Sequence, residues 1–178
     1  MNPPERGILV SITRKLFDAS PWYGVFVAAS ELFVVIQQVS QRFDLDGYRV
    51  FRRADIADID ASFEGKTLIE TALFIKGLTP SMPYRLDLSG MRELVESVQR
   101  QFGVMVIHRE QLQPCEVEIG TVRLDTDHTY VLRWLTPHAE WSDDDRLFHY
   151  RDISMLEFGG EYERTLLMVA SAKQTARS

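Results

Sequence analysis

One cysteine, Cys115, stands alone in 178 residues. A single thiol excludes a disulfide within the chain and any multi-cysteine zinc or iron–sulfur centre. Lysine is almost as scarce, at four residues against sixteen arginines. Acidic residues outnumber basic ones 26 to 20, for a net charge of −6. That balance argues against a surface built throughout to hold a polyanion. Long apolar runs are missing too. The stretch from Tyr23 to Ala29 is far short of the ~20 residues that span a bilayer. The start, Met1-Asn2-Pro3-Pro4-Glu5-Arg6, lacks the basic end and apolar centre of a secretory signal. A cytoplasmic protein with no membrane partner is the expectation.

Catalytic motifs are equally sparse. No Gly-x-Ser-x-Gly, phosphate-binding loop or Gly-x-Gly-x-x-Gly occurs, and Gly159-Gly160 reads as a turn. Cys115 has no conspicuous basic neighbour in sequence that would lower its pKa. His108, His128, His138 and His149 form no zinc-ligand spacing. A non-enzyme without cofactor or metal is expected.

What the chain does contain is a repeat, visible when it is slid against itself by 96–97 residues. Gly24-Val25-Phe26-Val27 falls on Gly120-Thr121-Val122-Arg123, and Phe33-Val34-Val35-Ile36 on Thr129-Tyr130-Val131-Leu132. Arg49-Val50-Phe51 then falls on Arg146-Leu147-Phe148, and Asp55-Ile56 on Asp152-Ile153, one residue further along. Upstream, Ile8-Leu9-Val10 falls on Val104-Met105-Val106.

Each copy reads as five short strands. The first spans Ile8–Arg14 and Val104–Glu110. A loop with turn formers follows, Asp18-Ala19-Ser20-Pro21 in one copy and Gln113-Pro114 in the other. The second and third strands are Tyr23–Ala29 with Leu32–Val39, and Val117–Leu124 with Thr129–Leu135. Polar loops, Ser40–Gly47 and Thr136–Asp145, precede a fourth strand at Tyr48–Arg52 and Arg146–Tyr150. Asp55 and Asp152 mark a tight turn into a fifth, Ala57–Ala61 and Ser154–Phe158. Five short strands with such turns suggest a small closed or partly open barrel.

Apolar residues at helical spacing follow each copy. They are Leu68, Ile69, Ala72, Leu73 and Ile75 in Lys66–Lys76, and Tyr162, Leu166, Leu167, Val169 and Ala170. Both stretches are short and apolar enough to read as strands as well. The clearest helix is Gly90–Phe102, with Ser89 as N-cap, a stripe of Met91, Leu94, Val95, Val98 and Phe102, and Gly103 as its end. The expected organisation is a first barrel with trailing helix over residues 1–78 and a linker over 79–88 containing Pro80 and Pro83. The central helix, second barrel and C-terminal helix take 89–178, and the first six residues and Ser171–Ser178 are read as loose tails.

The layout of Gly24 through Val35, then Val50-Phe51-Arg52-Arg53-Ala54-Asp55-Ile56, resembles the Sm-like small barrel and the bacterial Sm-like RNA chaperone family in particular. Gly120, Tyr130-Val131-Leu132 and Phe148-His149-Tyr150-Arg151-Asp152-Ile153 repeat it. SH3-like and PRC-type barrels share these features. The resemblance implies a mainly β fold with α, built as two tandem five-stranded Sm-like or SH3-like barrels, and it covers about two-thirds of the chain. In the RNA chaperones, basic and histidine side chains before the last strand line the nucleotide site. Arg52-Arg53-Ala54 and His149-Tyr150-Arg151 stand there in this chain without reproducing that motif. Sm-like barrels also form rings by pairing strand four to strand five, so self-association is implied.

Candidate nucleic-acid-binding residues are therefore Tyr48, Arg49, Phe51, Arg52 and Arg53 in one copy, and His149, Tyr150 and Arg151 in the other. Alternation would put Arg49 and Phe51 on one strand face and Tyr48, Val50 and Arg52 on the other. Asp55 and Asp152 suit a structural role, accepting hydrogen bonds from the following backbone N–H groups. Asp143-Asp144-Asp145, beside His138 and Glu140, reads as a solvated loop tip and lacks calcium-loop spacing. Residues 1–88 hold 10 basic and 11 acidic residues, and 89–178 hold 10 and 15, so nucleic acid would favour the first copy. The expected function is a non-catalytic binding or scaffold protein with a protein partner or a second copy of itself. Single-stranded RNA binding by the first barrel is the alternative, and a metal-dependent hydrolase at the acidic loop is the second alternative.

Overall fold

The computed structural model describes residues 3–17, 20–81, 83, 85–114 and 116–177, with only the backbone of Arg177. Asp18, Ala19 and Cys115, named above, lie outside the described residues. The chain divides into two compact units, Met1–Tyr84 and Arg85–Ser178. Among the described residues, ten strands and three α-helices make it mainly β with α.

In the first unit, β1 (Leu9–Arg14), β2 (Trp22–Ala29), β3 (Phe33–Val39) and β4 (Leu45–Arg52) lead through a 3₁₀ turn at Arg53–Asp55 into β5 (Ile56–Asp60) and α1 (Lys66–Ile75). The strands are antiparallel in the order β5-β1-β2-β3-β4. The second unit opens with α2 (Met91–Phe102). It then repeats the pattern as β6 (Met105–His108), β7 (Val117–Leu124), β8 (Thr129–Leu135), β9 (Trp141–His149), a 3₁₀ turn at Tyr150–Asp152, β10 (Met155–Phe158) and α3 (Glu161–Arg177). Its order is β10-β6-β7-β8-β9. Of the two expected forms, a closed or a partly open barrel, the closed one is not formed. In neither unit does the last strand pair with the fourth, so each five-strand ladder is open.

The registers establish the repeat. Val35 pairs with Val50 and Val131 with Leu147; Phe33 pairs with Arg52 and Thr129 with His149. These are the sequence offsets of 96 and 97. The first strand corrects the alignment. Val10 faces Gly24 and Met105 faces Gly120, so β1 and β6 correspond at 95. Arg14 therefore matches Arg109 rather than Glu110. Both glycines lie where their strand crosses a neighbour at close range. A Cβ on Gly24 would stand 2.6 Å from the Gln37 carbonyl oxygen, and one on Gly120 would press on the Arg133 carbonyl. No larger residue fits that bend without moving backbone.

The fourth strands start earlier than expected. Ser40–Asp44 and Thr136–Glu140 are tight turns, not long loops. In each, the hydroxyl residue's N–H bonds the carbonyl four residues on, Ser40 to Asp44 at 2.8 Å and Thr136 to Glu140 at 2.9 Å. Each also holds a non-glycine residue in the left-handed region, Phe43 at φ 58 and Ala139 at φ 54. Asp143–Asp145 consequently lie within β9, exposed, and not at a loop tip.

Helices pack by their apolar stripes. Ile69 and Leu73 of α1 bury against Leu9, Val25 and Val39, flanked by Phe43, Leu45 and Leu78. Leu166 and Ala170 of α3 do the same against Val104, Ile119, Leu135 and Ala139. Each buried aliphatic side chain contributes about 1.5–3 kcal/mol. The helical alternative for both stretches thus holds, and α3 runs on through the expected tail to Arg177. Helix α2 buries Leu94, Val95 and Val98 completely. Its N-cap is Gly90, not Ser89, whose N–H and hydroxyl are turned onto Asp87 Oδ1 at 3.0 and 2.6 Å. Gly103, at φ 74, ends it as expected. Gln99 ties the helix to the sheet, accepting from the Val122 N–H at 2.8 Å. Among the described residues no helix is long and apolar enough to cross a membrane.

Candidate functional site

The cluster Tyr48–Arg53 does not form one accessible patch. Gly47–Phe51 are five consecutive buried residues, because β4 is covered on both faces. Phe51 is fully buried in the core. Tyr48 is buried and its hydroxyl meets Ser81 Oγ at 2.7 Å. Arg49 is buried with its guanidinium 3.6 Å from the Trp22 ring centroid, and its Nε donates to Gln38 Oε1 at 2.7 Å. Arg52 and Arg53 are half-buried. Arg53 donates from Nη1 to the Ser30 carbonyl at 3.1 Å, pinning the 3₁₀ turn to the β2–β3 turn. In the second unit Tyr150 is buried, its ring 5.2 Å from that of Tyr130. His149 and Arg151 are exposed. Burial pushes the Tyr150 hydroxyl up to about 12, against the opposing pull of Arg92. Burial likewise raises Tyr130, whose hydroxyl has no hydrogen-bond partner among the described residues.

The 3₁₀ turns close through backbone. The Ile56 N–H donates to the Arg53 carbonyl, and the Ile153 N–H donates to the Tyr150 carbonyl at 3.3 Å. The carboxylates of Asp55 and Asp152 do not take the expected backbone bonds. Asp55 Oδ2 is buried without a partner among the described residues, and Asp152 Oδ1 lies 3.6 Å from Arg151 Nε.

Sequence patterns missed the charges at the sheet centre. Arg14 and Arg109, equivalent in the corrected register, are both buried. Arg14 lies over Phe17 and Phe51, at 5.0 and 5.8 Å. Arg109 lies 3.9 Å over Phe148, the counterpart of Phe51, and pairs with buried Glu118 at 2.8 Å. Glu118 also stands 3.7 Å from Arg146. A one-residue slip in the first strand hid the signal, since it set Arg14 against Glu110.

Ser154 Oγ donates to Glu110 Oε2 at 2.6 Å, while the His108 ring turns away to Glu157 at 2.6 Å. Among the described residues no three His, Cys, Asp or Glu converge to hold a metal. An open cleft of about 520 Å³ in the first unit is lined by Phe17, Ser20, Pro21, Trp22, Tyr23, Gln38 and Gln41. In the second unit, one of about 400 Å³ is lined by Arg85, Leu86, Asp87, Leu88, Glu93, Glu96, Ser97 and Arg100, and one of about 370 Å³ by Arg133, Ala139, Glu140, Trp141, Asp143, Ala170, Lys173 and Gln174. The first-unit cleft offers aromatic rings beside amides, the usual lining of a binding site; the clefts of the second unit are lined mainly by charged groups.

Compared with known proteins, the chain matches no family, no curated protein and no solved structure.

Proposed function

We propose that this protein is a non-catalytic binding or scaffold module made of two Sm-like sheets in tandem, with a protein segment as its partner. The observation that carries this reading is the use of polar chemistry inside each unit. Arg14, Arg49 and Arg109 are stacked on rings or paired with Glu118, and the open cleft of the first unit is lined by aromatic rings and amides. Such lining suits an apolar or peptide ligand, for which orientation comes from a few placed polar groups. The Sm-like part of the reading rests on the 5-1-2-3-4 strand order in both units, with a glycine at the bend of the second strand. Fold likeness carries no ligand by itself.

Panning a displayed random-peptide library on the full chain tests the reading, with hits remeasured as synthetic peptides by calorimetry. Peptides with dissociation constants below about 100 μM are the expected result, a free energy of about −5.5 kcal/mol or better. An empty panning, together with salt-sensitive binding of a labelled single-stranded RNA pool that Arg52→Glu with Arg53→Glu abolishes, would replace it with RNA binding.

A further inference from the structure

Helix α1 is apolar on two sides. Ile69 and Leu73 turn inward onto Leu9, Val25 and Val39. On the opposite side, helical spacing gathers Thr67, Leu68, Thr71, Phe74 and Ile75, all exposed. Leu68 is 62% exposed, Phe74 84% and Ile75 76%, so the described residues leave them uncovered. The charges of the helix lie off this face. Lys66 stands 3.7 Å from Glu70, and Lys76 turns to Asp44.

The second unit shows that the fold does not require this trio. Lys76 donates to the Arg42 carbonyl at 2.6 Å and Lys173 to the His138 carbonyl at 2.7 Å, which aligns α1 with α3 at the offset of 97. Ile69 then matches Leu166 and Leu73 matches Ala170, all four buried. Leu68, Phe74 and Ile75 match Thr165, Ser171 and Ala172. The inward side packs the helix in both units, and the outward trio is found in the first alone. The exposed apolar residues of α3, Met168 and Val169, stand where α1 has Thr71 and Ala72. The centre of the face is therefore small in α1 and large in α3.

We propose that this face of α1 pairs with α1 of a second copy, the two helices antiparallel about a twofold axis at Thr71. A twofold contact must be self-complementary, and this face is. Leu68 meets Ile75 of the second copy, Phe74 covers its Thr67, and two small Thr71 side chains let the helices approach at the axis. No charged residue stands on the face, so no like-charge pair opposes the contact. At these exposures, and with about 150–250 Å² for a large side chain, the trio presents about 400 Å² of apolar surface. Two copies remove about 800 Å² through the trio alone, and Thr67 and Thr71 bring the contact to about 1,000 Å², the lower bound for a specific interface. An anionic membrane is the poorer occupant, because both lysines of the helix end are paired and the chain carries a net −6. The pairing stands whether or not the cleft of the first unit takes a peptide.

Sedimentation equilibrium of the full chain from about 5 to about 500 μM tests the pairing. A monomer–dimer equilibrium with a dissociation constant of about 10–100 μM is expected of a contact this small. Leu68→Thr with Phe74→Ser and Ile75→Ala installs the residues of the second unit. That variant should weaken the dimer at least about tenfold, the scale of one buried aliphatic side chain, while its circular dichroism stays that of the native chain. In a Cys115→Ser background, Thr71→Cys should link two copies through a disulfide on mild oxidation, and Ser62→Cys, off the helix, should not. A monomer at every concentration, or a dimer that the triple variant keeps, overturns the pairing. So does a dimer in which Thr71→Cys fails to link. Panned peptides that bind the native chain and not the triple variant give the face to another protein and overturn it as well.

Discussion

Arg49 and Arg146 occupy the same place in the two units and have exchanged surroundings. Around Arg49 the second strand supplies Trp22 and the third supplies Gln38; around Arg146 the second strand supplies Glu118 and the third supplies Trp134, 5.4 Å from the guanidinium. One unit holds its cation on a ring with an amide beside it, and the other holds it near a carboxylate with a ring beside it. The backbone that positions the arginine is the same. What the repeat retains is a cation over the sheet, and either a π face or an anion satisfies it. The second unit carries the heavier electrostatic burden, because Glu118 is also the buried partner of Arg109. In the first unit the equivalent Arg14 lies over phenyl rings.

Breaking Glu118 should therefore separate the units most sharply. Glu118→Ala leaves Arg109 buried beside a removed anion and should cost about 3–5 kcal/mol in denaturant unfolding. Trp22→Ala removes a half-buried ring from Arg49 and should cost less, about 1–2 kcal/mol. Equal losses would mean that the two surroundings are not distinct in energy. Next in size come the glycines. Gly120→Ala and Gly24→Ala should each lower stability by about 1–3 kcal/mol or more, with Gly120→Ala the worse because its Cβ meets the neighbouring carbonyl more closely. Thermal melts that rank them in the reverse order would contradict the geometry of the bend.

A smaller difference lies at alkaline pH. Tyr130 and Tyr150 belong to the second unit, and burial raises both above the ordinary value near 10. Their neutral forms are favoured by folding. The stability they add is complete below about pH 10 and declines as pH rises toward and through 12. Absorbance at 295 nm should show two tyrosines titrating late, and Tyr150→Phe should remove part of the stability loss between pH 10 and 12. Two tyrosines ionising with the exposed ones would show that the second unit does not enclose them. The smallest effect belongs to Lys76 and Lys173, paired with Asp44 and Glu140 and partly exposed. Lys76→Met and Lys173→Met should each cost at most about 1 kcal/mol, and nearly the same in both units. A marked asymmetry would show that the two clamps do different jobs.

Much of the architecture was legible in residue order. Alternating apolar runs and Asp-Ile turns announced ten strands, and Gly103 announced the end of α2. The turns at Ser40–Asp44 and Thr136–Glu140 were not, because their left-handed residues are Phe43 and Ala139, where a glycine or asparagine would have signalled the bend. Three consecutive aspartates disguised the start of β9, since acidic residues are depleted in strands. The candidate site was harder still. An aromatic beside arginines looks the same whether it faces solvent or core, and alternation distinguishes them only when one face of a strand is open. With Gly47–Phe51 buried throughout, Phe51 and Tyr48 belong to the interior, and only Arg52 and Arg53 of that group approach the surface.

The aspartates of β9 have one more consequence. Among the described residues β9 has a ladder neighbour on one side only, β8, and its other side presents backbone groups able to recruit a further strand. Asp143, Asp144 and Asp145 put three negative charges on that margin. An approaching copy of the same strand would have to bring its own three carboxylates alongside them. Charge here does the work that closure of a barrel would otherwise do, keeping the sheet from growing into a fibre. Replacing all three with asparagine should leave the fold intact and make the protein prone to assemble, which thioflavin fluorescence on standing would reveal.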